Sequence, residues 1–206
     1  MNWKVATKFA FAVAALAAVV AAAPAARAAP LSIVNVGAPA VNCVFNNAGA
    51  PACTVIVNDS VGDFTPPGDN GNARLQSRTY PGTAPAPGAG LMAYVYRVDL
   101  TSVQGLLAAN CVTRLTLNFG PVVPLPYTPK GKFQVFVVTS GGLGSVGVKS
   151  AIQTGSTIVF SFAAPVCPGA TSYFFGLASK STNPVDAKAT VSYSLGGSAT
   201  TAVRVP

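Results

Sequence analysis

The sequence predicts an all-β protein: a two-layer antiparallel β-sandwich, Ig-like or jelly-roll-like, of about nine or ten strands behind a cleaved signal peptide. Three observations carry that expectation. Short apolar or alternating runs recur from Leu31 onward between Gly, Pro and Asn clusters. Several of them alternate with period two, which gives a strand one face to bury and one to wet, as each layer of a sandwich requires. Four cysteines stand in a chain that opens with an export signal, a setting in which an even count argues for disulfides.

In chain order, Met1 to Ala28 reads as the signal peptide. Lys4 and Lys8 give a positive start, Phe9 to Ala23 is an apolar run of 15 residues, and Ala26-Arg27-Ala28 places small residues at the −3 and −1 positions of a cut. The run is shorter than the roughly 20 residues a bilayer span needs and is mostly Ala, so no membrane span is expected after cleavage. The remaining residues, 29–206, number 178 and suit one domain with a sizeable core.

The expected strands are Leu31–Val36, Val41–Phe45, Cys53–Asn58, Leu91–Leu100, Val112–Phe119, Phe133–Thr139, Thr157–Ala163, Ser172–Ala178, Ala189–Leu195 and Ala202–Val205. Leu115, Leu117 and Phe119 share one face; so do Ile158, Phe160 and Phe162, and Val191, Tyr193 and Leu195. Tyr94 and Tyr96 align with Val98 and Leu100 and read as core. One short helical turn is expected over Ser102–Ala109, with a Ser cap and Leu106/Leu107, weakened by Gly105. Two stretches break the spacing: a Pro- and Gly-rich loop at about 62–90, and Ser140–Gly147, which reads as a glycine-rich hairpin.

Cysteine positions favour Cys43 with Cys53, flanking a turn-rich stretch between two short strands, and Cys111 with Cys167. Cys111 directly precedes one strand pattern and Cys167 directly follows another, so antiparallel neighbours bring them together. Zinc is disfavoured, since the chain has no His and no CxxC.

Charge narrows the function classes. The 206-residue chain carries +8, and losing Lys4, Lys8 and Arg27 leaves ten scattered basic residues against five Asp, a net +5. Nucleic-acid proteins concentrate such charge in a stripe with interleaved aromatics, so no nucleic-acid partner is expected. The absence of His and Glu removes the commonest general base and any Ser-His-Asp arrangement. Gly142 to Gly147 matches GxGxxG, but the strand pattern resumes where a cofactor-binding helix should begin, and no acid follows before Asp186. No enzyme and no cofactor are expected.

Two candidate sites remain. Asp59, Asp63, Asp69 and Asn70 could supply part of a calcium shell, although Asp and Asn among turn residues more simply bond the nearby backbone. If residues 73–80 are extended, Arg74, Gln76, Arg78 and Tyr80 fall on one face, offering two guanidinium forks, an amide and a ring to carboxylates, sulfates or sugar hydroxyls. The simpler account of that face is the solvated outside of an edge strand.

The expectation is therefore an exported, non-enzymatic structural or binding protein of the periplasm, extracellular space or cell surface. Its partner would be a polysaccharide or anionic surface component, or another surface protein. Three rivals make distinct demands. A carbohydrate-binding module needs an exposed aromatic, with Tyr80 as candidate. A fibre or surface-layer subunit that self-assembles by strand pairing needs an unpaired edge or a free terminal strand, with Leu31–Val36 as candidate. A hydrolase needs a pocket joining Asp59, Asp63 or Asp69 to a Lys or Tyr.

Overall fold

The computed structural model describes residues 27–37, 41–46, 53, 56–105, 110–127, 129–141 and 143–206. The expected signal peptide thus lies almost wholly outside the described residues. The first strands are β1 (Ala29–Pro30), β2 (Ile33–Gly37), β3 (Asn58–Phe64), β4 (Asp69–Asn70), β5 (Ala73–Pro81) and β6 (Met92–Asp99). They continue through β7 (Gln104–Gly105), β8 (Val112–Asn118), β9 (Leu125–Tyr127), β10 (Gly131–Phe133) and β11 (Val135–Ser140). The last are β12 (Val148–Thr154), β13 (Thr157–Val166), β14 (Phe175–Ser179), β15 (Val185–Tyr193) and β16 (Ser198–Val205). The chain is all-β, and among the described residues no helix is long and apolar enough to cross a membrane.

Two six-stranded sheets dominate. One runs β1-β12-β13-β8-β15-β16, antiparallel throughout; the other runs β2-β11-β14-β6-β5-β3, antiparallel except where β2 lies parallel to β11. They enclose one apolar cluster, to which Leu115, Phe160, Val191 and Val203 come from the first sheet and Leu75, Tyr96, Phe175 and Leu177 from the second. Phe160 meets Phe175 across this core with ring centroids 4.9 Å apart. Period two set this up: Leu115, Leu117 and Phe119 are all buried, while on the alternate positions Arg114 and Asn118 are exposed and Thr116 is half-buried.

At one flank the sheets converge. Tyr96 donates its hydroxyl proton to the Arg204 carbonyl at 2.8 Å, the Arg204 N–H donates to Ser77 Oγ at 3.3 Å, and Thr201 Oγ1 donates to the Asp63 carbonyl at 3.2 Å. The outer edge of β16 is therefore partly occupied by groups of the other sheet, which blunts it as a template for pairing. The approach demands Gly62, since a Cβ there would lie 2.3 Å from the Ala202 carbonyl oxygen. At the other flank the chain crosses between sheets, Ala29–Pro30 pairing with β12 and Ile33–Gly37 with β11.

The β2–β3 sheet is covered on its outer face as well. Val34, Val36, Val95, Phe136 and Ala178 form a second cluster, roofed by Val44 and Phe45 and by Leu125. Here the expected strand Val41–Phe45 is instead a 3-10 turn, Val41–Val44. The Asn42 carbonyl accepts the N–H groups of Phe45 and Asn46, and this turn buries the consecutive Val44 and Phe45 together, which one face of a strand cannot do. Phe45 sits so close to Gly176 that a Cβ there would be 2.6 Å from its ring.

Both expected disulfides form, Cys43–Cys53 and Cys111–Cys167. The second closes the end of the β8–β13 ladder, where Val112 pairs with Val166. Other expectations need correcting. Gln104–Gly105, read as helical, pair with β4; Gly105 weakens a helix there, and residues 106–109 lie outside the described set. The expected strand Cys53–Asn58 falls partly outside it too, and β3 begins only at Asn58. Ser140–Gly147 is not a hairpin: it carries the chain from β11 in one sheet to β12 in the other, anchored where the Ser145 and Val146 N–H groups donate to the Thr171 carbonyl. Gly142 lies outside the described residues. Much of the stretch at 62–90 is stranded, the end of β3 and all of β5 included.

Candidate functional site

β5 is extended, and period two separates its side chains as expected. Ala73, Leu75, Ser77 and Thr79 are buried towards the core; Arg74, Gln76, Arg78 and Tyr80 share the opposite face. Register decides what that face can do. Arg74 stands opposite Asp63 on β3 and Asp99 on β6, Gln76 opposite Val61 and Arg97, Arg78 opposite Asp59 and Val95, and Tyr80 opposite Ala93. Each arginine thereby acquires an acid. Arg78 Nε lies 3.0 Å from Asp59 Oδ1, without the alignment of a hydrogen bond, and Arg74 Nε lies 3.6 Å from Asp63 Oδ1. Arg97 donates to Asp99 Oδ2 at 3.0 Å, and Asp99 Oδ1 accepts from Thr101.

The side chain at the centre of this face is Phe174, which lies in the expected strand Ser172–Ala178 just before β14, but whose contact with the arginines no sequence pattern marks. The guanidinium carbons of Arg78 and Arg97 lie 5.0 and 4.9 Å from its ring centroid, within cation–π range. Tyr80 at the far end is sealed beneath Phe45, with ring centroids 6.3 Å apart. Its hydroxyl is buried without a hydrogen-bond partner among the described residues. Burial holds that phenol neutral far above the ordinary tyrosine range, against the opposing pull of the Arg78 charge. The four strip residues thus share a face but no common opening.

The calcium candidates divide between two places. Asp59 and Asp63 lie on β3 facing their arginines, whereas Asp69 and Asn70 form β4, paired with β7. Among the described residues no three His, Cys, Asp or Glu side chains group as a metal site. Asp69 is buried, and neither carboxylate oxygen has a hydrogen-bond partner among the described residues. Burial, together with the Asp69 charge, pushes the Tyr193 phenol up to about 12.

Two concavities bear on function. A groove of about 490 Å³ follows the flank where β3 meets β15 and β16; it is lined by Val61, Asp63, Asp186, Lys188 and Thr200. It joins an Asp to a Lys, as the hydrolase rival demands. However, the carboxylates of Asp63 and Asp186 are 60% and 82% exposed and are paired with Arg74 and Arg204, whereas a general acid needs an apolar pocket to retain its proton at neutral pH. The second concavity, about 680 Å³, opens between a proline-bearing ledge, Gly120–Pro124, and the turn Ser179–Ser181, with Phe119 buried at its base. Sequence reasoning passes over it, although Gly120-Pro121 and Pro124 bracketing Val122-Val123 signal a stiff apolar segment that cannot continue the preceding strand.

Compared with protein-family models, curated proteins and solved structures, the chain finds no match.

Proposed function

We propose that the chain is an exported, non-enzymatic binding or structural protein, a two-layer β-sandwich released from its signal peptide into the periplasm or extracellular space. One observation carries the non-catalytic reading. Of its five side-chain carboxylates, Asp59, Asp63, Asp99 and Asp186 are each paired with an arginine, and Asp69 is shut away from solvent. With no His or Glu in the chain, every side-chain carboxylate is therefore either paired with an arginine or buried. Export draws support from two disulfides, which persist in oxidising compartments, and from a first strand that starts at Ala29, directly after the expected cut.

The same geometry bears on the rivals. No aromatic side chain among the described residues is exposed, so a sugar-stacking platform of the usual kind finds no support there. The strand Ile33–Gly37, which covers most of the candidate Leu31–Val36, pairs with β11 and buries Val34 and Val36, so it is not a free strand, although it forms one edge of its sheet and keeps its other side open to pairing. The reading is tested by assaying the mature, oxidised protein against glycan, ester and peptide hydrolysis panels beside a D63N/D186N variant. Silence in both is expected. Turnover present in the parent and lost in the variant would replace this reading with the hydrolase.

A further inference from the structure

We propose that the outer edge of β2 pairs with the same edge of a second copy of this chain, joining two β2 strands antiparallel about a two-fold axis at Asn35. The two six-stranded sheets have four edges, β1, β16, β2 and β3, and all but β2 are guarded. β3 and β16 close on one another, through the Thr201 Oγ1 bond to the Asp63 carbonyl and the close approach of Gly62 to Ala202. At the opposite flank β1 is two residues long and ends in Pro30, which has no N–H. Beside it the Leu31 N–H donates to the Ala151 carbonyl, and β12 beyond carries the exposed Lys149. Short strands, proline and lysine all discourage edge pairing. β2 has no such device: Ile33–Gly37 contains neither charge nor proline, and its strand neighbour among the described residues is β11 alone.

The backbone ladder defines the open side. The Val135 N–H donates to the Ser32 carbonyl, and Ile33 stands opposite Val135. Alternate residues of a parallel strand turn both N–H and C=O to its partner, so Val34 and Val36 direct theirs to β11 and Ile33, Asn35 and Gly37 direct theirs outward. Asn35 and Gly37 are exposed and Ile33 is half-buried, which leaves that edge within reach of another strand. Among the described residues of the two sheets, β2 is the one strand that offers such groups unguarded, so a second copy supplies its complement. With Asn35 on the axis, Asn35 meets Asn35 of the second copy and Ile33 meets Gly37 of the second copy, where no side chain competes for space. All three outward residues of each chain then form hydrogen-bonded pairs, and no like charges come opposite one another. A contact of this kind uses the same patch on both copies and closes on itself. With the other edges guarded, the assembly stops at a dimer rather than growing into a fibre, whether or not the chain also acts on a substrate.

The test is sedimentation velocity of the mature, disulfide-bonded protein over a concentration series reaching about 1 mM, which populates even a contact with a Kd in that range, together with amide hydrogen exchange. A reversible monomer–dimer equilibrium is expected, with exchange at the Ile33, Asn35 and Gly37 amides slowing as concentration rises. Asn35→Pro deletes one outward N–H from each copy and leaves the ladder to β11 intact. It should weaken the dimer at least about tenfold while leaving the monomer's melting temperature unchanged. Asn35→Lys sets two ammonium groups opposite each other on the axis and should weaken it likewise; it decides the matter if Asn35→Pro fails to fold. A dimer that survives these substitutions, or an open-ended assembly, overturns the proposal. So does a strict monomer, which would leave the edge of β2 to a foreign strand.

Discussion

The outer face of β5 and the cleft beyond β14 hold their polar side chains under opposite conditions. Around β5 stand Arg74, Arg78 and Arg97, each with its own acid, and two of them share the ring of Phe174. In the cleft Lys180 makes no ion pair among the described residues, and Pro206, the last residue, lines the same space. The richer cluster is thus the more self-sufficient. Opposite charges placed directly across antiparallel strands stabilise the sheet and leave little field for a partner. An exposed lysine that makes no ion pair among the described residues is expected to add little to the stability of the fold.

If β5's outer face is structural, its centre should be costly to remove. Phe174→Ala should destabilise the protein by about 3–5 kcal/mol in urea denaturation, chiefly through the cavity left by a fully buried ring. Both cation–π interactions, with Arg78 and Arg97, disappear with that ring and add to the cost. A loss under about 1 kcal/mol would mean that the face collapses onto the gap and that its packing is not what holds it. The next effect is smaller. Arg78→Ala should cost about 1–2 kcal/mol, since it strips a half-buried stem from Phe174 and leaves Asp59 unpaired. A double-mutant cycle with Asp59→Ala should recover a coupling of about 0.5–1 kcal/mol; zero coupling would show the two residues to be neighbours only.

These expectations also mark how far the sequence can be read. Alternation locates β8, β13 and β15 within a few residues, because burying one face of a strand leaves a period-two record, whereas β6, buried on both faces, reads only as an apolar run. The same rule places Arg74, Gln76, Arg78 and Tyr80 on one side of β5. It cannot disclose that Asp59 and Asp63 stand opposite Arg78 and Arg74, because register across strands is fixed by the turn and by burial rather than by local composition. Nor can it place Phe174, whose contact with Arg97 needs β14 and β6 to be neighbours. The turn at Val41–Val44 escapes it for a related reason: its buried pair faces the outside of a sheet, where no one-sided alternation is imposed. The cleft leaves no periodic mark, only its prolines.

Tyr80 sharpens the contrast from the sealed end of β5. Its hydroxyl is buried with no hydrogen-bond partner among the described residues, an arrangement that costs about 1–3 kcal/mol of desolvation. Tyr80→Phe should therefore stabilise the protein, by about 1 kcal/mol, and raise its melting temperature. The phenol's ionisation is raised by burial in the fold from an ordinary value of 10.0. The favourable protonated state is thus common to both the folded and the unfolded chain below that ordinary value. Stability is lost as pH rises above it, because only the unfolded chain can then release the proton. The variant should lose less stability over that alkaline range than the parent. Destabilisation by Tyr80→Phe at neutral pH would show that the hydroxyl has a partner and that the strip extends further than its ion pairs.

The smallest expected effect decides the comparison. Lys180→Gln should leave stability within about 0.5 kcal/mol of the parent, because the ammonium is exposed and makes no ion pair among the described residues. Urea denaturation beside Arg78→Ala reads both outcomes on one scale. A cost of more than about 1 kcal/mol at Lys180 would mean that its charge is already engaged within the fold, and the distinction between a face of paired charges and a lysine outside any ion pair would fail. A neutral result gives that distinction its physical content. The Arg78 charge would then be committed to holding β3, β5 and the segment before β14 together, whereas the Lys180 charge would hold no part of the fold.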